Sequence, residues 1–138
     1  MMDIADLEKR YLDVLQNIEV AIVGVHKRIP LLVDFDVEAA LSALISYYQA
    51  QMRGVEPKPI RLNERAREVY EAVQMMCEWR LGKEDIFQTE TGEPGPQPEP
   101  VSIEVIIACL KRIRKSVERW NREGGRQGYL TFIERFIA

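Results

Sequence analysis

The sequence predicts an all-α fold: four principal helices in one bundle-like domain spanning 1–138, a short fifth helix at the C-terminal end, and a long acidic, proline-rich connection between the third and fourth helices. Three observations carry this. Apolar residues recur alternately three and four positions apart, the spacing that keeps one helix face apolar. Asp, Asn or Ser stands ahead of most of these runs and Gly behind them, where helix ends need such residues. Apolar residues make up 46% of the 138 positions and charged residues 30%, enough for one ordinary globular core without metal or disulfide support.

The first run is Ile4, Leu7, Tyr11, Val14, Ile18, Ala21 and Val25. It should end near Arg28, because Pro30 lacks an N–H and disfavours helix at Ile29. A second helix is expected after Asp36, taken as its N-cap, with Val37, Ala40, Leu41, Leu44, Ile45, Tyr48 and Met52 on one side and Gly54 as its stop. After a loop holding Pro57 and Pro59, Asn63 caps a third helix that shows Ala66, Val69, Tyr70, Val73, Met76 and Cys77 and ends at Gly82. Residues 82–100 carry four prolines and five acidic side chains against Lys83, a local charge of −4. Such a stretch builds no packed element and reads as an exposed connection. Ser102 caps a fourth helix with Ile103, Ile106, Leu110, Ile113, Val117 and Trp120 facing inward, closed by Gly124 and Gly125. The last helix, about 128–138, has a broad apolar face of Tyr129, Leu130, Phe132, Ile133, Phe136 and Ile137.

A rival reading makes strands of residues 20–25 and 29–35, and Ala21-Ile22-Val23-Gly24 superficially resembles the start of a dinucleotide-binding turn. The second and third glycines of that fingerprint are absent, and the three-four register runs unbroken through the segment. Helix is the reading adopted.

Composition narrows the chemistry. A net charge of −3 gives no general pull toward nucleic acid or membrane, and no run approaches the 18 apolar residues of a membrane span. Cys77 and Cys109 are too few for a disulfide framework and lack zinc-site spacing; with His26 the single histidine, a metal site is not expected, nor any cofactor. The acidic start argues against a signal peptide, so a reducing, cytoplasmic setting is the expectation. Both cysteines sit among apolar neighbours and read as small core residues. His26, in the last turn of the first helix, reads as a surface or capping histidine.

Three function classes remain. The first is a non-catalytic interaction protein, a homodimer or a binder of a protein partner, using the apolar connection (Ile29, Leu31, Leu32, Phe35) or the last helix (Tyr129, Phe132, Phe136). The second is a phosphate or nucleic-acid binder using Lys111, Arg112, Lys115, Arg119 and Arg122, in a stretch, 101–138, with eight basic side chains against four acidic ones. Its bland counterpart is a solvated helix face. The third is a Mg²⁺-dependent phosphate-ester or nucleotide hydrolase on Glu68 and Glu71, an E-x-x-E pair that needs a second acidic pair the fourth helix does not supply.

Overall fold

The computed structural model describes residues 3–83, 97–123 and 125–137 and is all-α, with no strand among those residues. The helices are α1 (Ile4–Arg28), α2 (Asp34–Arg53), α3 (Glu64–Arg80), α4 (Ile103–Glu123) and α5 (Gly128–Ile137). None is long and apolar enough to cross a membrane among the described residues. The segment read as two strands lies within α1, the turn after it and the start of α2.

Packing follows the stripes. The four long helices form a ring in the order α1, α3, α2, α4, so α1 and α2 face each other across a diagonal, as do α3 and α4. Val14, Ile18 and Ile22 of α1 meet Leu41 and Leu44 of α2, Val69 and Val73 of α3, and Ile106 and Leu110 of α4 in one core, all fully buried. Each such side chain contributes roughly 1.5–3 kcal/mol by leaving water. α5 lies over α1 and α4 and adds Tyr129, Leu130 and Ile133.

The helix ends hold local surprises. Asp3, unnoticed in the sequence, caps α1 by accepting the Asp6 N–H at 2.9 Å. Asn63 caps α3 through the Ala66 N–H at 2.7 Å, and Ser102 accepts from Val105 at 3.3 Å. Gly54 ends α2 at φ +70°, where a side chain would be strained. The start of α2 corrects the reading of Asp36: Val33 is the N-cap, and Asp36 is the third helical residue, its carboxylate reaching back to the Val33 N–H at 3.1 Å.

One apolar stretch behaves differently from expectation. In the first two turns of α1, Ile4 is 83% and Leu7 51% exposed although both continue the apolar stripe. The acidic connection lies outside the described residues from 84 to 96. Its two ends are described and meet: Val101 donates its N–H to the Arg80 carbonyl at 2.9 Å, and Glu99 pairs with Arg10. The chain therefore leaves α3 and returns to start α4 at one end of the bundle, across the α3–α4 diagonal.

Candidate functional site

Two regions bring functional side chains together, and α5 borders both. The first is the turn between α1 and α2. Pro30 breaks α1, and the next residues close the bundle end. Leu32 is fully buried and so closed to a partner, while Ile29 is half-buried against the core. Leu31 and Phe35 point the other way, 79% and 70% exposed, with half-buried Val33 between them. The three side a shallow surface with Arg126, Gly125 and Asn121.

This turn is tied down from several directions. Gln127 donates its side-chain N–H groups to the Pro30 and Leu32 carbonyls at 2.8 and 2.7 Å. The Asp34 N–H donates to the Arg126 carbonyl at 2.9 Å. The fully buried Asp34 carboxylate accepts the N–H groups of Tyr129 (2.8 Å) and Leu130 (3.2 Å), the free donors in the first turn of α5. Burial pushes this carboxyl above its ordinary value, while those two N–H groups and His26 pull the other way. Asp36, 1% exposed, accepts from Asn63 and from the Arg65 Nε, both at 2.9 Å. For Asp36 burial also pushes upward, but the Asn63, Val33 and Arg65 hydrogen bonds outweigh it and leave the carboxyl below its ordinary value. His26 is neither a surface nor a capping residue: its Nδ1 meets the Glu134 carboxylate of α5 at 2.5 Å, half-buried.

The second region is a pocket of about 440 Å³ where α1, α4 and α5 meet. Arg112, Ser116 and Arg119 fall on one stripe of α4 because positions four and three apart return to the same side of a helix. Leu15 and Glu19 of α1 form the facing wall. Trp120 of α4 and Phe132 of α5 stack with ring centres 5.0 Å apart, so Trp120 is half-buried on the pocket rim and not in the main core. Tyr129 lines the pocket too; it is 1% exposed, and its hydroxyl has no hydrogen-bond partner. An unmade buried hydrogen bond costs about 1–3 kcal/mol. Burial raises the Glu19 carboxyl above its ordinary value, with the Arg112 charge opposing.

The five basic residues singled out in α4 therefore separate. Arg112 and Arg119 share the pocket stripe, whereas Lys111 lines a shallow apolar depression with Met52 and Ile107 toward α2, and Lys115 is simply exposed. Arg122 belongs to α4, but its side chain lies outside the described residues. Of the three α5 residues, Tyr129 is internal, Phe132 is 38% exposed on the pocket edge, and Phe136 is 75% exposed. Glu68 faces Arg28 at 3.4 Å and Glu71 borders a groove with Tyr47 and Tyr70. No group of three or more His, Cys, Asp or Glu side chains stands ready to hold a metal among the described residues.

Cys77 and Cys109 are fully buried, and burial pushes both thiols up, Cys109 to about 12. They offer no thiolate for chemistry at neutral pH. No protein-family model matches this chain, and no similar curated protein or solved structure was found.

The α5 clamp was missed at the sequence level. Its one available signal was local: two aspartates flank Phe35, when one cap is all that α2 requires.

Proposed function

We propose that this chain is a non-catalytic interaction module that self-associates through the ridge of Leu31, Val33 and Phe35. One observation carries the reading: Leu31 on the turn and Phe35 in the first turn of α2 stand exposed on a segment tied down by hydrogen bonds from Gln127, Tyr129 and Asn63. Exposed apolar groups usually mark contacts, and a rigid presentation loses little ordering entropy on binding. A ridge of apolar side chains meets a copy of itself across a two-fold axis, the commonest closed arrangement of identical chains. A reducing, cytoplasmic setting suits such a module and belongs to the same proposal.

A second reading keeps the ridge and changes the occupant. Lys27 and Arg28 end α1 beside this turn, and Arg126 borders the ridge. That rim favours an acidic, apolar segment of a different protein.

Sedimentation equilibrium of the intact chain separates these. Self-association predicts a mass near 32 kDa, twice the 16.0 kDa chain, and a monomer for Leu31→Ser with Phe35→Ser. A wild-type chain that stays monomeric as concentration is raised, while remaining folded, overturns self-association. A dimer unaffected by the double substitution removes the ridge from it.

A further inference from the structure

The chain leaves α2 at Gly54 and is back at the start of that helix by Asn63, whose side chain bonds Asp36 at 2.9 Å. Those two points lie about 27 Å apart along the helix. The connecting residues, 55–63, reach about 30 Å when fully extended, so they form a strap stretched nearly straight along the α2–α3 seam. Residues 56–63 accordingly hold no helix or strand. A taut strap has no slack with which to sink into the seam, and a groove of about 400 Å³ stays open beside it.

Half-buried Tyr47 of α2 and Tyr70 of α3 line this groove, and Pro57 and Pro59 of the strap add apolar wall. Tyr47 is held in place edge-on against Tyr48, ring centres 5.1 Å apart. Arg67, Tyr70 and Gln74 share one stripe of α3 about 10 Å long. The polar groups can nearly all donate, and Glu71 is the one carboxylate in the lining. Among the described residues, the Tyr47 and Tyr70 hydroxyls and the Lys58, Arg67 and Gln74 side chains have no hydrogen-bond partner. None of these atoms is sealed inside the fold, so a ligand can reach them. Burial, then Tyr47 and Glu78, raise the Tyr70 hydroxyl above its ordinary value, which keeps it a donor at neutral pH. Such a groove suits a ligand with flat apolar faces, many acceptors and few donors. A proline-rich chain is that ligand: proline has a ring and a carbonyl but no N–H. In the left-handed extended helix it rises 3.1 Å per residue, so the α3 stripe matches about three residues, one full turn.

We propose that this groove docks a proline-rich, carboxylate-bearing segment of another protein, its rings against Tyr47 and Tyr70 and its carbonyls accepting from the Tyr70 hydroxyl and Gln74. A turn of three residues puts every third side chain on one edge, so a Pro-Pro-Glu repeat presents two edges of ring and one of charge. Lys58 and Arg67 against Glu71 favour an acidic edge over a basic one. A segment already held in the extended helix loses little entropy on docking.

The test is titration of the intact chain with four capped peptides, followed by the Gln74 side-chain amide and Tyr70 ring NMR signals. The first is Pro-Pro-Glu-Pro-Pro-Glu-Pro-Pro; the others replace its Glu by Gln, its Glu by Lys, or its Pro by Gly. The parent peptide should bind tightest and the Gln version next, with the Lys and Gly versions each at least about tenfold weaker than the parent. Tyr70→Phe, which keeps the ring and removes the donor, should weaken the parent about fivefold. Arg67→Glu, at an exposed position, should turn the preference around so that the Lys version outbinds the parent. Equal binding of the Gly version and the parent overturns the proposal, since proline then contributes nothing. An order unmoved by Arg67→Glu, or the absence of any shift at Gln74 and Tyr70, overturns it too. The groove shares no residue with the ridge, so these readouts stand whether or not the ridge self-associates.

Discussion

The Asp34 carboxylate accepts the Tyr129 N–H at 2.8 Å across 95 positions of sequence, and by doing so it caps a helix to which it does not belong. Asp34 sits in the first turn of α2, yet the N–H groups it satisfies are those of α5. A charge-assisted bond at a helix start also profits from the α5 dipole. One buried side chain thus holds the ridge turn on one side and the Tyr129 wall of the pocket on the other.

The neighbouring carboxylate makes the fold sensitive to acid. Asp36 titrates below its ordinary value of 3.8 when folded, so the folded state binds fewer protons than the unfolded state across that range. Its contribution is complete above the unfolded value and is lost as pH falls through the folded one. Wild type should exceed Asp36→Asn by about 2 kcal/mol at pH 6. That gap should narrow steadily below about pH 4, as read by urea unfolding at a series of pH values. A gap independent of pH would show that the charge of Asp36 does not matter.

Arg80 gives an asymmetric prediction. It is 7% exposed, donates Nη1 to the Asn17 side chain at 2.9 Å, and its Nε has no hydrogen-bond partner. Removing the partner leaves a buried guanidinium short of an acceptor, with the Asp13 charge still acting on it, whereas removing the cation strands only an amide. Asn17→Leu should therefore cost about 3 kcal/mol and Arg80→Met distinctly less, compared by thermal and urea unfolding. Equal costs would mean that Arg80 reaches water in the variant.

The two thiols test the core directly. Buried and raised in pKa, Cys77 and Cys109 should resist a thiol-disulfide reagent at pH 8 in the native chain and react together once denaturant unfolds it. Rapid labelling under native conditions would contradict the packing of α3, for Cys77, or of α4, for Cys109.

Periodicity made the helices legible. Val14, Ile18 and Ile22, or Ile106, Leu110 and Ile113, repeat at a spacing that only a helix converts into one face. Asn63, Gly54 and Gly82 marked ends because their roles are local, settled within a few residues. Asp34 and His26 were opaque for the opposite reason. Their partners, Tyr129 and Glu134, lie about a hundred positions away, and nothing in a spacing rule predicts which helix will cover a turn. The α4 basic cluster was visible as charge, but its division between the Arg112–Arg119 stripe and Lys111 depends on where α1, α2 and α5 sit. Ile4 and Leu7 continued the α1 stripe faithfully, yet they stand exposed, because a stripe marks a helix face and not whether a neighbour covers it.

Amide hydrogen exchange on Asp34→Ala tests the α5 clamp, on which the account of both ridge and pocket rests. Protection at Tyr129 and Leu130 should fall about thirtyfold, equivalent to roughly 2 kcal/mol, while the core amides of α2 and α4 around Leu44 and Leu110 keep theirs. Unchanged protection at Tyr129 and Leu130 would contradict the account, since α5 and the turn it borders would then be held by something other than this carboxylate.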